Sequence, residues 1–480
     1  VLFAMILGVA CACFLTFFMP KKLASVCLAF IDLVAGIPSV IFGFIGLTVL
    51  VKAFVKYLKM TAGQCVLVAG IVLGIMLLPY VVSTCQESLV NAKRTYEKSG
   101  LALGLSREYV LIKVILPAIR PGIVASAMMA FGRALGETMA VMMVIGNSAI
   151  FPKLLGRGQT LPALTALEMG SIEYGSIHLS VLYVANLVLL VILVVVTLAG
   201  QLLKRRFAEH DKLTKYVIRI LAGILGILTI AVTLFLFLYI FWKGKNVMSL
   251  SFILDKPAGV PLGTAGGIYP ALMGSIYLGA LSALMGGIIG IGVAVYLVFY
   301  TRESIFYHVI SACITGLSGI PSILFGLVGY TLLIYQFGLG RSLLCSAICV
   351  AVMIVPFIAI RAEKILKEKG TEYMKNSLAL GMSREYAVIR LILPVCAVEL
   401  LGTVALGMAY GMGAVAPILY TGAVMVADVP GKLTDPFMSL PYHLYMLVNN
   451  GFSLDYAYGT AFVLMLFLLL IQILCKCITY

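Results

Sequence analysis

Two stretches of this chain nearly coincide. Leu101–Pro117 reads LALGLSREYVLIKVILP, and Leu378–Pro394 reads LALGMSREYAVIRLILP. Twelve of the 17 positions are identical, at an offset of 277 residues. Pro79 and Pro356 match at the same offset, and Gly36-Ile37-Pro38-Ser39 matches Gly319-Ile320-Pro321-Ser322 at an offset of 283. The chain is therefore built from two related halves. Each repeated stretch follows a polar helical segment, turns at Leu-Ala-Leu-Gly, and runs to a Leu-Pro that opens the next apolar run. A short helix, a glycine turn and a second helix make a compact knob. Two such knobs on one face suit a partner with two equivalent sockets. An ordinary solvated loop is the competing reading.

The composition decides the medium. Of 480 residues 62% are hydrophobic and 11% are charged, with mean hydropathy +1.12. A soluble domain carries about 25% charged residues, so there is too little polar surface here to cover one solvated core. Strict alternation, the mark of an outer-membrane barrel, is missing. The expectation is an all-α polytopic membrane protein. Its apolar runs lie near 1–19, 23–50, 63–85, 114–147, 179–203, 213–242, 268–300, 306–335, 342–360, 392–423 and 456–477, about eleven spans. The net charge of +15 reads as topology rather than as a nucleic-acid surface. The basic residues gather in segments 86–113, 203–219 and 361–390 and at Lys21–Lys22 and Arg302, all on one side of a consistent path, as the positive-inside rule requires. Segment 51–62, with Lys52, Lys56 and Lys59, disagrees. Six spans between the two SREY loops make the repeats parallel, related by an axis along the membrane normal. The division expected is 1–205 and 206–480, joined near Lys204–Lys215. Lys21 aligns with the turn at Arg302, which predicts that a first span precedes Val1. The cysteines lie mostly in apolar runs and read as small hydrophobes. His178, His210, His308 and His443 are scattered in or near loops and take no role.

Gly104 followed by Ile115-Leu116-Pro117, and Gly381 followed by Ile392-Leu393-Pro394, resemble the coupling-helix loop of ABC-importer permeases. Lys98-Ser99-Gly100 and Lys375-Asn376-Ser377 stand where that loop usually carries Glu-Ala-Ala. Gly36-Ile37-Pro38-Ser39, Arg120-Pro121-Gly122 and Gly132-Arg133-Ala134-Leu135-Gly136-Glu137-Thr138 are similar to the C-type permease subunit of phosphate-specific ABC importers. Ser318-Gly319-Ile320-Pro321-Ser322 and Ala416-Pro417-Ile418-Leu419-Tyr420-Thr421 are similar to its A-type partner. The resemblance covers the whole chain and implies both subunits fused in one polypeptide of a bacterial cytoplasmic membrane. It implies docking of the loops, through Lys98, Gly104, Ser106 and Arg107 and through Lys375, Gly381, Ser383 and Arg384, into two cytoplasmic ATPase subunits. It also implies an extracytoplasmic phosphate-binding protein as donor. Another oxyanion, molybdate or sulfate, and a phosphate-sensing scaffold are the alternatives.

Arg133 and Glu137 lie inside an otherwise apolar run, where a charge is costly and faces a bundle interior or pathway. Their i, i+4 spacing predicts one helix face. Two readings remain open: a helix-locking ion pair, or a pathway site in which Arg133 meets an oxyanion through its planar fork. The matching positions are Tyr410 and Ala414, so the second half has lost both charges, and Tyr410 offers a hydroxyl. The Gly-Ile-Pro-Ser segments free backbone groups within apolar runs. They serve either as packing kinks or as broken helices aimed at an anion. The candidate pathway residues are thus Arg133, Glu137, Thr138, Ser39, Ser322 and Tyr410. No nucleotide-binding glycine loop occurs and no metal-ligand pattern stands out. The chain is expected to hold no cofactor, with ATP bound by partner chains.

Overall fold

In a computed structural model the described residues are 1–173, 175–206, 215–260, 265–301 and 304–479. Side chains are described for all of these except 107, 108, 112, 197–206, 215–222 and 476–479. The centre of the expected join near Lys204–Lys215, the turn at Arg302 and the side chain of Arg107 lie outside them.

Among the described residues the chain is all-α apart from one two-stranded antiparallel pair, Pro257–Ala258 with Ala265–Gly266, and an isolated bridge between Ala423 and Phe437. The expected count of about eleven spans is not confirmed. Among the described residues eight helices are long and apolar enough to cross a membrane, or nine if the pair Ile305–Gly319 and Ser322–Gln336, bent by 97°, is one span. The difference has physical causes. The run expected at 23–50 is cut at Gly36-Ile37-Pro38 into helices Lys21–Ala35 and Ser39–Leu58. The run at 114–147 is cut at Ile119 and again at Glu137, where φ −72° and ψ 124° leave the helical region. Leu2–Phe18 is helical but short.

The repeat is structural down to single residues. Val66–Ala102 and Leu343–Ala379 are both 37-residue helices, and their ends match at the offset of 277. Each is about 55 Å long, well beyond a hydrocarbon core of about 30 Å. Each carries its proline, Pro79 or Pro356, inside. Their first N–H groups lack intrahelical partners, and loop carbonyls supply them. Val66 donates to Gly156 (3.0 Å) and Leu67 to Leu154 (2.9 Å), while Leu343 donates to Asp435 and Leu344 to Leu433, both at 2.9 Å.

The chain forms two compact units, Val1–Leu164 with Val181–Trp242, and Thr165–Ser180 with Lys243–Tyr480. In the first, the Phe30 and Phe237 rings pack at 4.9 Å. In the second, the Tyr420 hydroxyl donates to the Ala166 carbonyl, tying in the short segment from upstream. Near the SREY loop of the second unit, Lys367 meets Glu363 (2.6 Å) and the Tyr307 hydroxyl (2.8 Å), and Lys369 meets Glu399. Segment Leu366–Gly370 is thereby held to two neighbouring helices. The first repeat has Val90, Ala92 and Gly122 in place of Lys367, Lys369 and Glu399.

Each half-helix after a Gly-Ile-Pro-Ser break brings a glycine against the backbone of a neighbouring segment. A Cβ on Gly43 would lie 2.9 Å from the Ala140 Cα, and one on Gly326 would lie 2.9 Å from the Ala416 carbonyl oxygen. Backbone cannot yield as a side-chain tip can. Gly43→Val and Gly326→Val are each expected to destabilise the fold by about 1–3 kcal/mol. Gly70→Ala, where nothing lies within 4 Å, should be neutral or slightly stabilising. Thermal unfolding of the detergent-purified protein, read by near-UV circular dichroism, checks the contrast. Equal melting temperatures for all three would refute it.

Candidate functional site

The site in the first unit is assembled around two helix breaks. Helix Arg120–Gly136 ends just before Glu137, and a short helix, Met139–Val144, begins after Thr138. Arg133 and Glu137 therefore do not share a helix face, as their spacing predicts. Glu137 instead turns its carboxylate onto the next helix start. Its Oε1 accepts the Ala140 N–H at 3.2 Å, and the Met139 N–H and the Ser39 side chain are among its polar neighbours. Arg133 remains among its electrostatic partners. Ser39 opens the half-helix after the Gly36-Ile37-Pro38 break. Two breaks distant in sequence thus meet at one carboxylate. Thr138 is buried, and its hydroxyl leans 3.4 Å from the Gly136 carbonyl.

A residue the sequence reading missed completes this arrangement. Tyr80, directly after Pro79, donates its hydroxyl to the Ala35 carbonyl at 2.9 Å, satisfying the end of helix Lys21–Ala35. The Arg133 guanidinium lies over the Tyr80 ring, 3.9 Å from its centroid, well within cation–π range. Its position after the mid-helix proline was the available signal, because a proline frees a carbonyl and marks the depth at which side chains from neighbouring helices meet.

The second unit keeps the frame and changes the chemistry. Phe357 follows Pro356 as Tyr80 follows Pro79. The Tyr410 ring stacks on Phe357, centroids 5.7 Å apart and 23° from coplanar. The Tyr410 side chain is thus an aromatic neighbour where Arg133 is a cationic one. Ser322 opens its half-helix as Ser39 does. Ala414 stands at the Glu137 position, so the carboxylate bridge has no counterpart there.

The two SREY loops are congruent. Gly104 has φ +74° and Gly381 φ +77°, both left-handed, and nothing lies within 4 Å of a Cβ at either. The preceding leucines, Leu103 and Leu380, are 78% and 77% exposed. Leu105 donates to the Gly100 carbonyl (3.1 Å) and Met382 to the Ser377 carbonyl (3.0 Å), closing each helix end over its glycine. Ser106 accepts the Tyr109 N–H (3.2 Å) and Ser383 the Tyr386 N–H (3.3 Å), so both serines cap the next helix. Lys98 and Lys375 are exposed on the polar helices and Arg384 is half-buried. What each knob offers is a bare leucine at the tip of a tight turn.

A family described as "binding-protein-dependent transport system inner membrane component" matches residues 4–209 and again 286–478. Among similar proteins is a probable phosphate transport system permease protein PstC of Methanocaldococcus jannaschii, 37% identical over 227 residues, which are 44% of this chain and 72% of that protein. The phosphate transport system permease protein PstC of Xylella fastidiosa is 33% identical over 230 residues, 44% of this chain and 70% of the relative. The phosphate transport system permease protein PstA 2 of Mycobacterium bovis is 31% identical over 213 residues, again 44% and 70%.

Tyr80 makes two separable contacts, and two substitutions separate them. Tyr80→Phe removes only the bond to Ala35 and is expected to cost about 0.6 kcal/mol, the mean for such bonds between membrane helices. Tyr80→Leu also removes the ring under Arg133 and should cost about 0.5–2 kcal/mol more. The measurement is thermal or denaturant unfolding in one detergent. A Leu variant as stable as the Phe variant would show that the ring carries nothing.

Proposed function

We propose that this chain, which belongs to the family of binding-protein-dependent transport system inner membrane components, is the membrane-spanning permease of an ATP-driven phosphate importer in the cytoplasmic membrane. Its first half acts as the C-type and its second half as the A-type permease, divided near residue 205. The chain itself is a transport permease and not an enzyme. ATP is hydrolysed by two cytoplasmic ATPase subunits that receive the two SREY knobs. An extracytoplasmic phosphate-binding protein delivers the substrate at the opposite face.

The observation that carries this reading is the joining of two helix breaks at Glu137 beside Arg133. A helix break in hydrocarbon is costly unless its freed groups are satisfied, and here two breaks gather polar groups beside a cationic side chain. The Tyr80 ring packs against one face of the guanidinium, whose planar fork has the geometry that suits an oxyanion. Glu137 and Ser39 hold the two breaks together, so the fork has a fixed place to receive phosphate. Relatives of both the PstC and the PstA name support the choice of phosphate.

Two tests follow from separate parts of this reading. Arg133→Lys keeps the charge but loses the fork, and ATP-dependent phosphate uptake into proteoliposomes is expected to fall at least about tenfold, the worth of one charge-assisted bond. Arg133→Gln with Glu137→Gln removes both charges, so no unpaired charge is left in the bundle, and uptake should vanish although folded complex is recovered. Near-normal uptake by that double variant would remove Arg133 from the pathway. Competition by molybdate and sulfate in the same assay ranks the oxyanions.

The knobs are tested by Gly104→Val with Gly381→Val. A β-branched residue at positive φ costs about 1–2 kcal/mol at each turn, and there is open space around both, so the strain stays local. The ATPase subunits should be lost on co-purification while the membrane bundle keeps its melting temperature. Co-purification at the normal yield would count against docking at these loops.

A further inference from the structure

The segment whose charge runs against the positive-inside rule stands beside a second cationic stretch. Segment 51–62 carries Lys52, Lys56 and Lys59, loop 147–160 carries Lys153 and Arg157, and neither holds an Asp or Glu. All five cations are exposed. The two stretches flank the entry to the long helix Val66–Ala102. A Cβ on Gly63 would lie 2.7 Å from a methyl of Val55, and Val66 and Leu67 donate to the Gly156 and Leu154 carbonyls of the loop. Around the cations the surface is apolar. Ile150, Phe151, Leu154 and Leu155 are exposed, Phe151 by 89%, and so are Tyr57 and Leu58. A contiguous apolar patch with a charged rim marks an interaction or membrane surface.

Trp242 gives the depth of this patch. Leu236 lines one apolar cavity with Val72 and Ile75. From Leu236, helix Lys215–Gly244 runs outward about 9 Å to Trp242, and from Val72 the long helix runs back outward about 9 Å to Val66. Trp242 is exposed, and an exposed tryptophan at a span's end sits at the headgroup level. The loop that caps Val66 lies at that same level, on the side opposite the knobs. The second repeat differs. Its loop, matched through the Leu433 and Asp435 carbonyls, has Val429, Pro430 and Thr434 at the positions of Ile150, Phe151 and Leu155. Its charges are used within the protein: Asp428 pairs with Lys256, and the Asp435 carboxylate accepts the Gly431 and Lys432 N–H groups at 3.1 and 2.9 Å.

We infer that this face of the first repeat binds anionic phospholipid of the leaflet opposite the knobs. Ile150, Phe151, Leu154 and Leu155 enter the acyl boundary, and Lys52, Lys56, Lys59, Lys153 and Arg157 meet the headgroup phosphates. Apolar side chains set among lysine and arginine are what a membrane interface selects. A free phosphate ion would use the cations and leave the apolar side chains in water. A docking protein would leave Phe151 in water whenever it departed. The positive charge on the wrong side of the membrane thereby has a partner. Because the loop's carbonyls hold the first N–H groups of helix Val66–Ala102, lipid bound to the loop also steadies the outer end of that helix.

The chain has a single tryptophan, so Trp242→Phe with Phe151→Trp moves the fluorophore to the loop tip. Leu155→Trp in the same background is a second reporter should the first lower the melting temperature. The full chain is placed in phosphatidylcholine vesicles containing phosphatidylglycerol, with bromine on the acyl chains of one lipid or the other. Bromine quenches tryptophan only on contact. Brominated phosphatidylglycerol is expected to quench with a preference of at least about fivefold over brominated phosphatidylcholine at equal mole fraction, the worth of one basic residue at an anionic surface. Glutamine at all five cations should abolish the preference and leave the quenching. No quenching by either lipid would mean that the loop stands in water and faces a soluble partner, and would overturn the inference. Equal quenching by the two lipids, or a preference that survives the five glutamines, would overturn it as well. So would a preference erased by inorganic phosphate and not by chloride at the same ionic strength, which would assign the cations to free phosphate. The measurement needs no transport, so any of these failures leaves the importer reading standing.

Discussion

In hydrocarbon there is no water to take over a backbone group that a helix releases. Every break in this bundle must be closed by a particular side chain or loop, and that requirement organises the rest. The carbonyl of Ala35, released at the first Gly-Ile-Pro-Ser break, is closed by the Tyr80 hydroxyl. The N–H of Ala140, released after Gly136, is closed by Glu137. The starts of the two long helices are closed by loop carbonyls from Gly156 and Asp435. Each closure draws one element onto another, so the places where helices fail are also the places where the bundle is most tightly specified. Arg133 belongs to this network through the ring beneath it, which is itself fixed by its bond to Ala35.

Much of this was legible in the sequence because it rests on local rules. The repeat at 277 residues and the turn glycines at 104 and 381 follow from spacing and residue type, and the structure has both glycines in matching conformations. What could not be read was where apolar runs stop being single helices. Hydropathy is blind to a break at Glu137, because the residues on both sides remain apolar. The i, i+4 rule placed Arg133 and Glu137 on one face only by assuming a helix that ends at Gly136. Tyr80 escaped notice because an aromatic residue in an apolar run looks like core. Its meaning comes from Ala35 and Arg133, each roughly fifty residues away in the chain.

The two repeats have kept one scaffold and divided the polar work. The first concentrates it at the helix breaks, in Arg133, Glu137, Ser39 and Tyr80. The second has an aromatic stack there and places its ionic contacts nearer the knob, in Lys367, Lys369, Glu363 and Glu399. Duplicated halves carried on one polypeptide are always paired with each other. Each is therefore free to lose a feature that its partner retains, which two identical subunits could not do.

The 37-residue helices have a mechanical consequence. Each is a rod with a proline about 20 Å from one end and about 35 Å from the other, at 1.5 Å per residue. A proline inside a helix lacks the hydrogen bond that resists bending, so it is the natural fulcrum. Swinging the longer arm by 10° about that point displaces its tip, where the knob begins, by about 6 Å, yet moves the Cα of the residue after the proline by only about 0.3 Å. Tyr80 and Phe357 occupy that residue. Large strokes at the membrane surface are thus compatible with nearly stationary rings deep in the bundle, a gearing ratio set by where one residue falls along a straight rod.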